Sequence, residues 1–236
     1  RPGRLDLVQP ADGRVRVLPR PERATAPDPA VHESVIERVA GREFRVDAGG
    51  FWQVHRLAAS TLHGVVLAEL RGLGGLDPDA RHLDLYGGVG LFATAIGEVA
   101  GPAARITSVE SDPRATEHAG ENLAGWLGAR AETARVEHWL RRHAADPSAE
   151  RARIAAGVVV LDPPRSGTGL EVARDIAALA PAAIVYVACD PVALARDLAA
   201  FHEHGYEAAR VRAFDLFPHS HHVEAVTTLI RSDARR

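Results

Sequence analysis

Short apolar runs alternate with stretches of helical spacing from His82 to Ile230, and this alternation restricts the fold more than any other feature of the chain. It reads as strand His82 to Tyr86, helix Leu91 to Val99, strand Ile106 to Glu110, helix Pro113 to Trp126, a weaker strand near Val136, and strand Val158 to Asp162. A helix near Leu170 to Leu179, strand Ile184 to Ala188, helix Val192 to Glu203, strand Tyr206 to Ala213 and strand Glu224 to Ile230 follow. Repeated βα units imply a parallel sheet covered by helices on both faces. The last two strands are joined by a loop with no crossover helix, so they should pair antiparallel. The expected fold class is α/β, a doubly wound seven-stranded sheet whose last strand runs backwards.

The segment before this pattern has a different texture. Leu5 and Leu7, then Val15 and Val17, alternate with polar residues around Asp12-Gly13, as a hairpin does. Pro19 to Pro29 is a polar connector. From Val31 to Val54 the alternation resumes through Val35, Val39, Phe44 and Val46 and is interrupted at Gly49-Gly50, which suggests more sheet with a tight turn there. Arg56 to Arg71 has helical spacing and ends in a Gly-rich run. The expected division is a small β-rich appendage over 1–54 and a main domain over 55–236. A chain of 236 residues, 46% hydrophobic, can bury one sizeable core with room for only a small second unit.

Composition excludes more than it assigns. All 28 basic residues are Arg and the net charge is -3, so bulk electrostatic coating of a nucleic acid is not expected, although a local Arg patch could grip a phosphate backbone. The single cysteine, Cys189, rules out an intrachain disulfide and any all-Cys zinc or iron–sulfur site within the chain, and makes a cytoplasmic address the default. No apolar run is long enough to span a membrane and the start lacks a signal-peptide core. An Arg start and the absence of Met suggest a piece of a longer protein.

The polar residues that interrupt the apolar strands share one address. Tyr86, Glu110, Asp162 and Cys189 each fall at or just beyond the end of a parallel strand, and Glu224 begins the reversed one. In open α/β sheets ligands bind outside those carboxyl ends, near the topological switch point. The five should therefore meet at one rim.

Each motif there has a plain reading beside its chemical one. The turn Gly87-Gly88-Val89-Gly90 lets a ligand approach the backbone, or serves only a tight βα connection. Glu110 is placed to accept hydrogen bonds from a ribose diol, which together with the turn points to an adenosine-containing cofactor. The turn lacks the full G-x-G-x-x-G of a dinucleotide enzyme. Asp162-Pro163-Pro164-Arg165 fixes a rigid polar turn; Asp162 could bind cofactor or steer substrate and Arg165 could hold a phosphate. Cys189 sits where a helix N-terminus would favour its thiolate while Asp190 opposes it. His219, His221 and His222 allow a metal reading, but their spacing on an extended segment does not favour one. Glu224, entering an apolar strand, needs a partner or a role.

At these positions the sequence resembles the RNA 5-methyluridine methyltransferase family. The likeness runs from about Phe44 to Ile230 through Phe51-Trp-Gln-Val54, Asp84-Leu-Tyr-Gly-Gly-Val-Gly-Leu-Phe92, Asp162-Pro-Pro-Arg-Ser-Gly167, Cys189-Asp-Pro191 and Asp215 to Glu224. The resemblance implies a Rossmann-like methyltransferase domain using S-adenosyl-L-methionine, with S-adenosyl-L-homocysteine as product and no metal. It implies structured RNA, ribosomal or transfer, as partner, with no membrane and no obligate protein partner. Gln53, Tyr86, Gly88, Glu110 and Asp162 would contact the cofactor, Arg165, Asp190 and Asp215 the substrate, and residues 1–54 would be the remnant of a central RNA-binding or linker domain. Cys189 would be the nucleophile and Glu224 the proton acceptor.

Departures from the pattern are Gly87 where Cys is common, Asp190 where Asn is common, and Leu91 where some members have a cofactor-binding Asn. The cluster-holding cysteines and the N-terminal oligonucleotide-binding domain of some members are absent from this sequence. Two other readings stay open, an RNA protein that binds cofactor without turnover and a methyltransferase for another acceptor.

Overall fold

The computed structural model describes residues 4–20, 29–220 and 222–232. Seven strands form the central sheet: β5 (Arg81–Leu85), β6 (Arg105–Glu110), β7 (Ala129–Thr133), β8 (Val158–Leu161), β9 (Ala183–Ala188), β10 (Tyr206–Phe214) and β11 (Glu224–Arg231). Their spatial order is β10-β11-β9-β8-β5-β6-β7. The chain winds outward from β5 through β6 to β7, then returns to place β8 on the other side of β5. The topological switch point lies between β5 and β8, the parallel neighbours that lead into Tyr86 and Asp162. The expected α/β class is thus the observed one, and β11 pairs antiparallel with β10 and also with β9.

The apolar period explains the layers. Side chains alternate across a strand, so Val158 and Val160 point into one core while Val159 and Leu161 point into the other. The first core is completed by α1 (Ala58–Gly72) and α2 (Leu91–Ala100), the second by α4 (Val136–His143), α6 (Leu170–Ala178) and α7 (Pro191–Glu203). Leu83 is fully buried, and truncation to Ala at such a site costs about 2–5 kcal/mol. Helices α3 (Pro113–Asn122) and α7 both begin with Asp-Pro: Asp112 and Asp190 accept from the second and third backbone N–H groups, and the proline occupies the first turn, where no donor is needed.

Several expectations need correction. Val136 does not lie in a strand: it opens α4, where Val136, Trp139 and Leu140 bury one helical face, and the strand is β7 at Ala129–Thr133. As an edge strand without an apolar run, β7 gives a weak signal. The helix from Pro113 stops at Asn122, before Trp126. The polar helix α5 (Ser148–Ala156), with only Ile154 buried, went unread.

Upstream, β1 (Arg4–Val8) pairs with β2 (Arg16–Arg20) as the expected hairpin, while most of the connector lies outside the described residues. Strands β3 (Ser34–Val39) and β4 (Arg42–Asp47) form a second ribbon. Its strands are joined by a tight turn at Ala40-Gly41, both at positive φ, and the turn expected at Gly49-Gly50 follows β4, where Gly50 N donates to Asp47 O at 2.8 Å. The ribbon is tied to α3: Asn122 Oδ1 accepts from Arg45 N at 2.8 Å, and its Nδ2 donates to Val89 O at 2.9 Å. The segment after β4 is thereby held over the switch point. Among the described residues no helix is long and apolar enough to cross a membrane.

Candidate active site

A cavity of about 860 Å³ opens at the carboxyl ends of the parallel strands. Of the residues picked out from sequence, Gln53, Tyr86, Gly88, Glu110, Asp162, Arg165, Cys189 and Glu224 all line it. Asp190 and Asp215 do not: Asp190 spends its carboxylate on the N–H groups of Val192 and Ala193, at 2.9 and 2.8 Å. His222 lines the wall and His221 lies outside the described residues. Among the described residues no group of three His, Cys, Asp or Glu is placed to hold a metal ion.

One lobe is built by the turn after β5. Tyr86 has φ 62°, an uncommon left-handed conformation for a bulky residue, which makes room for the backbone to reverse at once. Gly87 packs closely against the strands below, since a Cβ there would lie 2.1 Å from Ser108 Oγ unless the Ser108 and Asp84 side chains shifted. Glu110 closes the lobe. Its Oε1 accepts from Ser111 N at 2.5 Å, Ser111 Oγ at 3.0 Å and Asp112 N at 2.8 Å and its Oε2 from Gly88 N at 3.1 Å, so the carboxylate is fixed against the turn and only Oε2 has room for a further donor. Behind the turn Asp84 accepts from Ser108 Oγ and Ala93 N, yet its Oδ1 is buried without a partner. Burial pushes this carboxyl up to about 7 against those hydrogen bonds.

The second lobe brings together Cys189 from the end of β9, Glu224 from the start of β11, and Asp162 and Arg165 from the loop after β8. Glu224 is 5% exposed, and burial raises it to about 7 while Arg165 pulls it back. Burial, then Glu224 and Asp84, push Asp162 well above the ordinary carboxylate range. Cys189 is half-buried; burial, Glu224 and Asp162 push its thiol up, against its own backbone N–H and Arg165. Of the two opposed influences expected from sequence, Asp190 takes the leading N–H groups of α7, and the net direction for the thiol is upward. The resting site therefore pairs a protonated thiol with a carboxyl titrating near neutrality.

A polar cluster on the rim had no signature in the sequence. Asp47, at the end of β4, accepts from Arg114 Nη2 at 2.9 Å and lies 2.6 Å from His118 Nε2 and 3.0 Å from His32 Nδ1. Burial opposes its ionisation, but these three partners hold the carboxyl below its usual range. The cluster pins the segment carrying Phe51, Trp52 and Gln53 to α3 at the cavity edge.

Comparison with known proteins gives a consistent result. Residues 148–232 match the family model described as tRNA (Uracil-5-)-methyltransferase. An uncharacterized RNA methyltransferase of Streptomyces avermitilis is 43% identical over 235 residues, covering 97% of this chain and 50% of that protein. One from Thermotoga maritima is 37% identical over 199 residues, covering 84% and 42%. The solved structure of Pyrococcus abyssi tRNA (uracil-54, C5)-methyltransferase in complex with S-adenosyl-L-homocysteine superposes with a TM-score of 0.63 at 26% identity, covering 84% of this chain and 44% of that one. The chain spans about half the length of the curated relatives it matches. The resemblance read from the five motifs is borne out.

Proposed function

Starting from a chain whose residues 148–232 match the tRNA (uracil-5-)-methyltransferase family, we propose that it transfers a methyl group from S-adenosyl-L-methionine to carbon 5 of a uridine in structured RNA. The observation that carries this reading is the meeting of the single cysteine and a near-neutral carboxyl, Cys189 and Glu224, in the same cavity as the Gly-rich turn and Glu110.

The residues present fit the cofactor. Gly87 leaves no side chain in the turn, the Gly88 backbone is open, and the Glu110 carboxylate is held facing the same lobe. Glu110 would take the ribose hydroxyls, and Gln53, Tyr86 and Asp162 would enclose the rest. When bound, the cofactor supplies an electrophilic methyl group on a sulfonium.

The second lobe performs the activation. Carbon 5 of uracil is too weak a nucleophile to be methylated directly, so Cys189 first loses its proton to solvent and its sulfur then bonds to carbon 6. The carbon 5–carbon 6 electron pair shifts to make carbon 5 enolate-like. After carbon 5 has been methylated, ionised Glu224 removes its proton, the double bond re-forms, and the carbon–sulfur bond breaks to release Cys189. A carboxyl near 7 suits this work, since it is ionised often enough to accept a proton and basic enough to hold it. Arg165, which lines the same cavity, would hold a phosphate of the extruded nucleotide. Residues 1–54 read as the remnant of a larger RNA-binding or linker unit.

The test is mass spectrometry of nucleosides from RNA incubated with the protein and isotopically labelled cofactor. The label should appear in 5-methyluridine. Label in a nitrogen-methylated base, or in none, would overturn the assignment.

A further inference from the structure

Cys189 and Arg165 sit on separate segments, and something must fix the loop after β8 relative to the end of β9. Asp197, on the buried side of α7 and fully enclosed, is the group that touches both. Its Oδ2 accepts from Tyr186 OH at 2.6 Å, from Thr168 N at 2.7 Å and from Thr168 Oγ1 at 3.0 Å. Its Oδ1 accepts from Arg196 Nη2 at 2.7 Å, and the same Nη2 donates to Ser166 O at 2.6 Å. Tyr186 is on β9, three residues before Cys189; Ser166 and Thr168 follow Arg165 in the loop. Gly167 lets the loop come this close, because a Cβ there would lie 2.3 Å from Asp197 Oδ2.

We propose that Asp197 is a positioning residue for the chemistry at Cys189, clamping the loop of Asp162 to Gly169 onto β9 and α7 and so setting where Arg165 stands beside the thiol. The inference rests on the reading of Cys189 as nucleophile. Its physical content is that three donors converge on one carboxylate oxygen, a load that a neutral amide cannot carry without turning its NH2 against a donor. Burial alone would neutralise Asp197, yet the hydrogen bonds from Tyr186, Arg196 and Thr168 hold it below the usual carboxylate range, so the clamp is charged at neutral pH. The groups that act on Cys189 are Glu224 at the start of β11 and Asp162 and Arg165 on the clamped loop; His222, on the loop before β11, lines the same cavity, and Asp190, next in sequence, accepts from the α7 N–H groups. Arg165 is the cation among them that favours the thiolate. Loosening the loop should therefore remove that help while Glu224 stays in place on β11 and Asp162 stays tied at the end of β8, where its N–H donates to Leu85 O at 3.3 Å.

Because Cys189 is the only thiol, its ionisation can be read directly as the pH dependence of alkylation by iodoacetamide, with no RNA or cofactor present. Asp197→Asn should move the alkylation midpoint upward by about half a unit or more, in the direction that Arg165→Gln moves it, and the double variant should move it no further than Arg165→Gln alone. Thr168→Val and Tyr186→Phe, each removing one donor, should move it less, and they replace Asp197→Asn if circular dichroism shows that variant unfolded. A lowered melting temperature with an unmoved midpoint in these variants, or an Arg165→Gln midpoint equal to the parent's, would overturn the clamp. A parent protein that methylates no RNA but shows the predicted shifts would defeat the functional reading and leave the clamp standing.

Discussion

Cys189 and Glu224 stand opposite one another one step beyond the last paired rung of the β9–β11 ladder, where Ala188 faces Ala225. The relationship follows from the reversal of β11: a strand that runs backwards begins at the rim where its parallel neighbours end, so its first residue meets the residue just past β9. The proposed nucleophile and base are thus set by strand register, which is more rigid than a loop would be.

The first consequence is a pH profile. Glu224 must be ionised to take a proton, and burial raises it to about 7; Cys189 must lose a proton, and burial with the neighbouring carboxyls raises it as well. Steady-state release of 5-methyluridine, which needs both the attack and the elimination step, should climb as pH rises through about 7 and go on climbing as the thiol ionises. A rate already flat by pH 5 would contradict both assignments.

The same burial makes Glu224 costly to the fold. Its folded-state value of about 7 exceeds the ordinary 4.5, so between these values the folded protein holds more protons than the unfolded chain and stability falls as pH rises. Glu224→Gln removes a cost of roughly 1–3 kcal/mol that is present above pH 7 and absent below the ordinary carboxylate range. Thermal melts should show the variant more stable than the parent at pH 8, with the gap closing toward pH 4. A variant less stable than the parent at pH 8 would place Glu224 in a hydrogen-bonded structural role instead.

Glu110 provides the test of the cofactor lobe. Glu110→Ala should weaken S-adenosyl-L-methionine binding by roughly 1.5–3 kcal/mol, the worth of hydrogen bonds to a charged group. The N–H groups of Gly88, Ser111 and Asp112 and the Ser111 hydroxyl also lose their acceptor, so the melting temperature should be followed alongside calorimetry. Unchanged affinity in a folded variant would mean that the adenosine lies elsewhere.

Capture of RNA should be weak. The catalytic rim offers little surface for selecting one site, and the chain spans about half the length of its curated relatives. Filter binding should show affinity falling steeply with salt, because phosphate contacts from Arg side chains dominate. Tight binding indifferent to salt would show that recognition is already complete in this chain.

The parts of the site legible in sequence share one property: Tyr86, Glu110, Asp162 and Cys189 each end an apolar run, and a polar residue in that place is visible against its neighbours. Glu224 was legible for the mirror reason, as the polar start of the last run. The clusters around Asp47 and Asp197 were not legible, since Asp47 meets Arg114 across 67 residues and Asp197 meets Thr168 across 29, and no period links such partners. At Asp190 the structure adds a role with a local sequence cause: the Asp-Pro step caps α7, with Asp190 Oδ1 accepting from Val192 N and Ala193 N. Strand β7 was misplaced to Val136 because an edge strand carries few apolar residues while the first turn of α4 buries one. The pairing of β11 with β10 followed from the short loop, but its insertion beside β9, which places Glu224 opposite Cys189, is a long-range contact with no local trace.

The covalent mechanism is tested most directly by denaturing gel electrophoresis of protein incubated with RNA and labelled cofactor. Cys189→Ser should give no slow-migrating protein–RNA band and no methylated uridine, because a serine hydroxyl ionises far less readily than a thiol. Glu224→Gln keeps the side-chain shape but removes the base, so attack and methylation proceed while elimination stalls, and a labelled band should accumulate well above the parent's faint one. Methylated uridine produced by Cys189→Ser, or turnover by Glu224→Gln at the parent rate, would contradict the account.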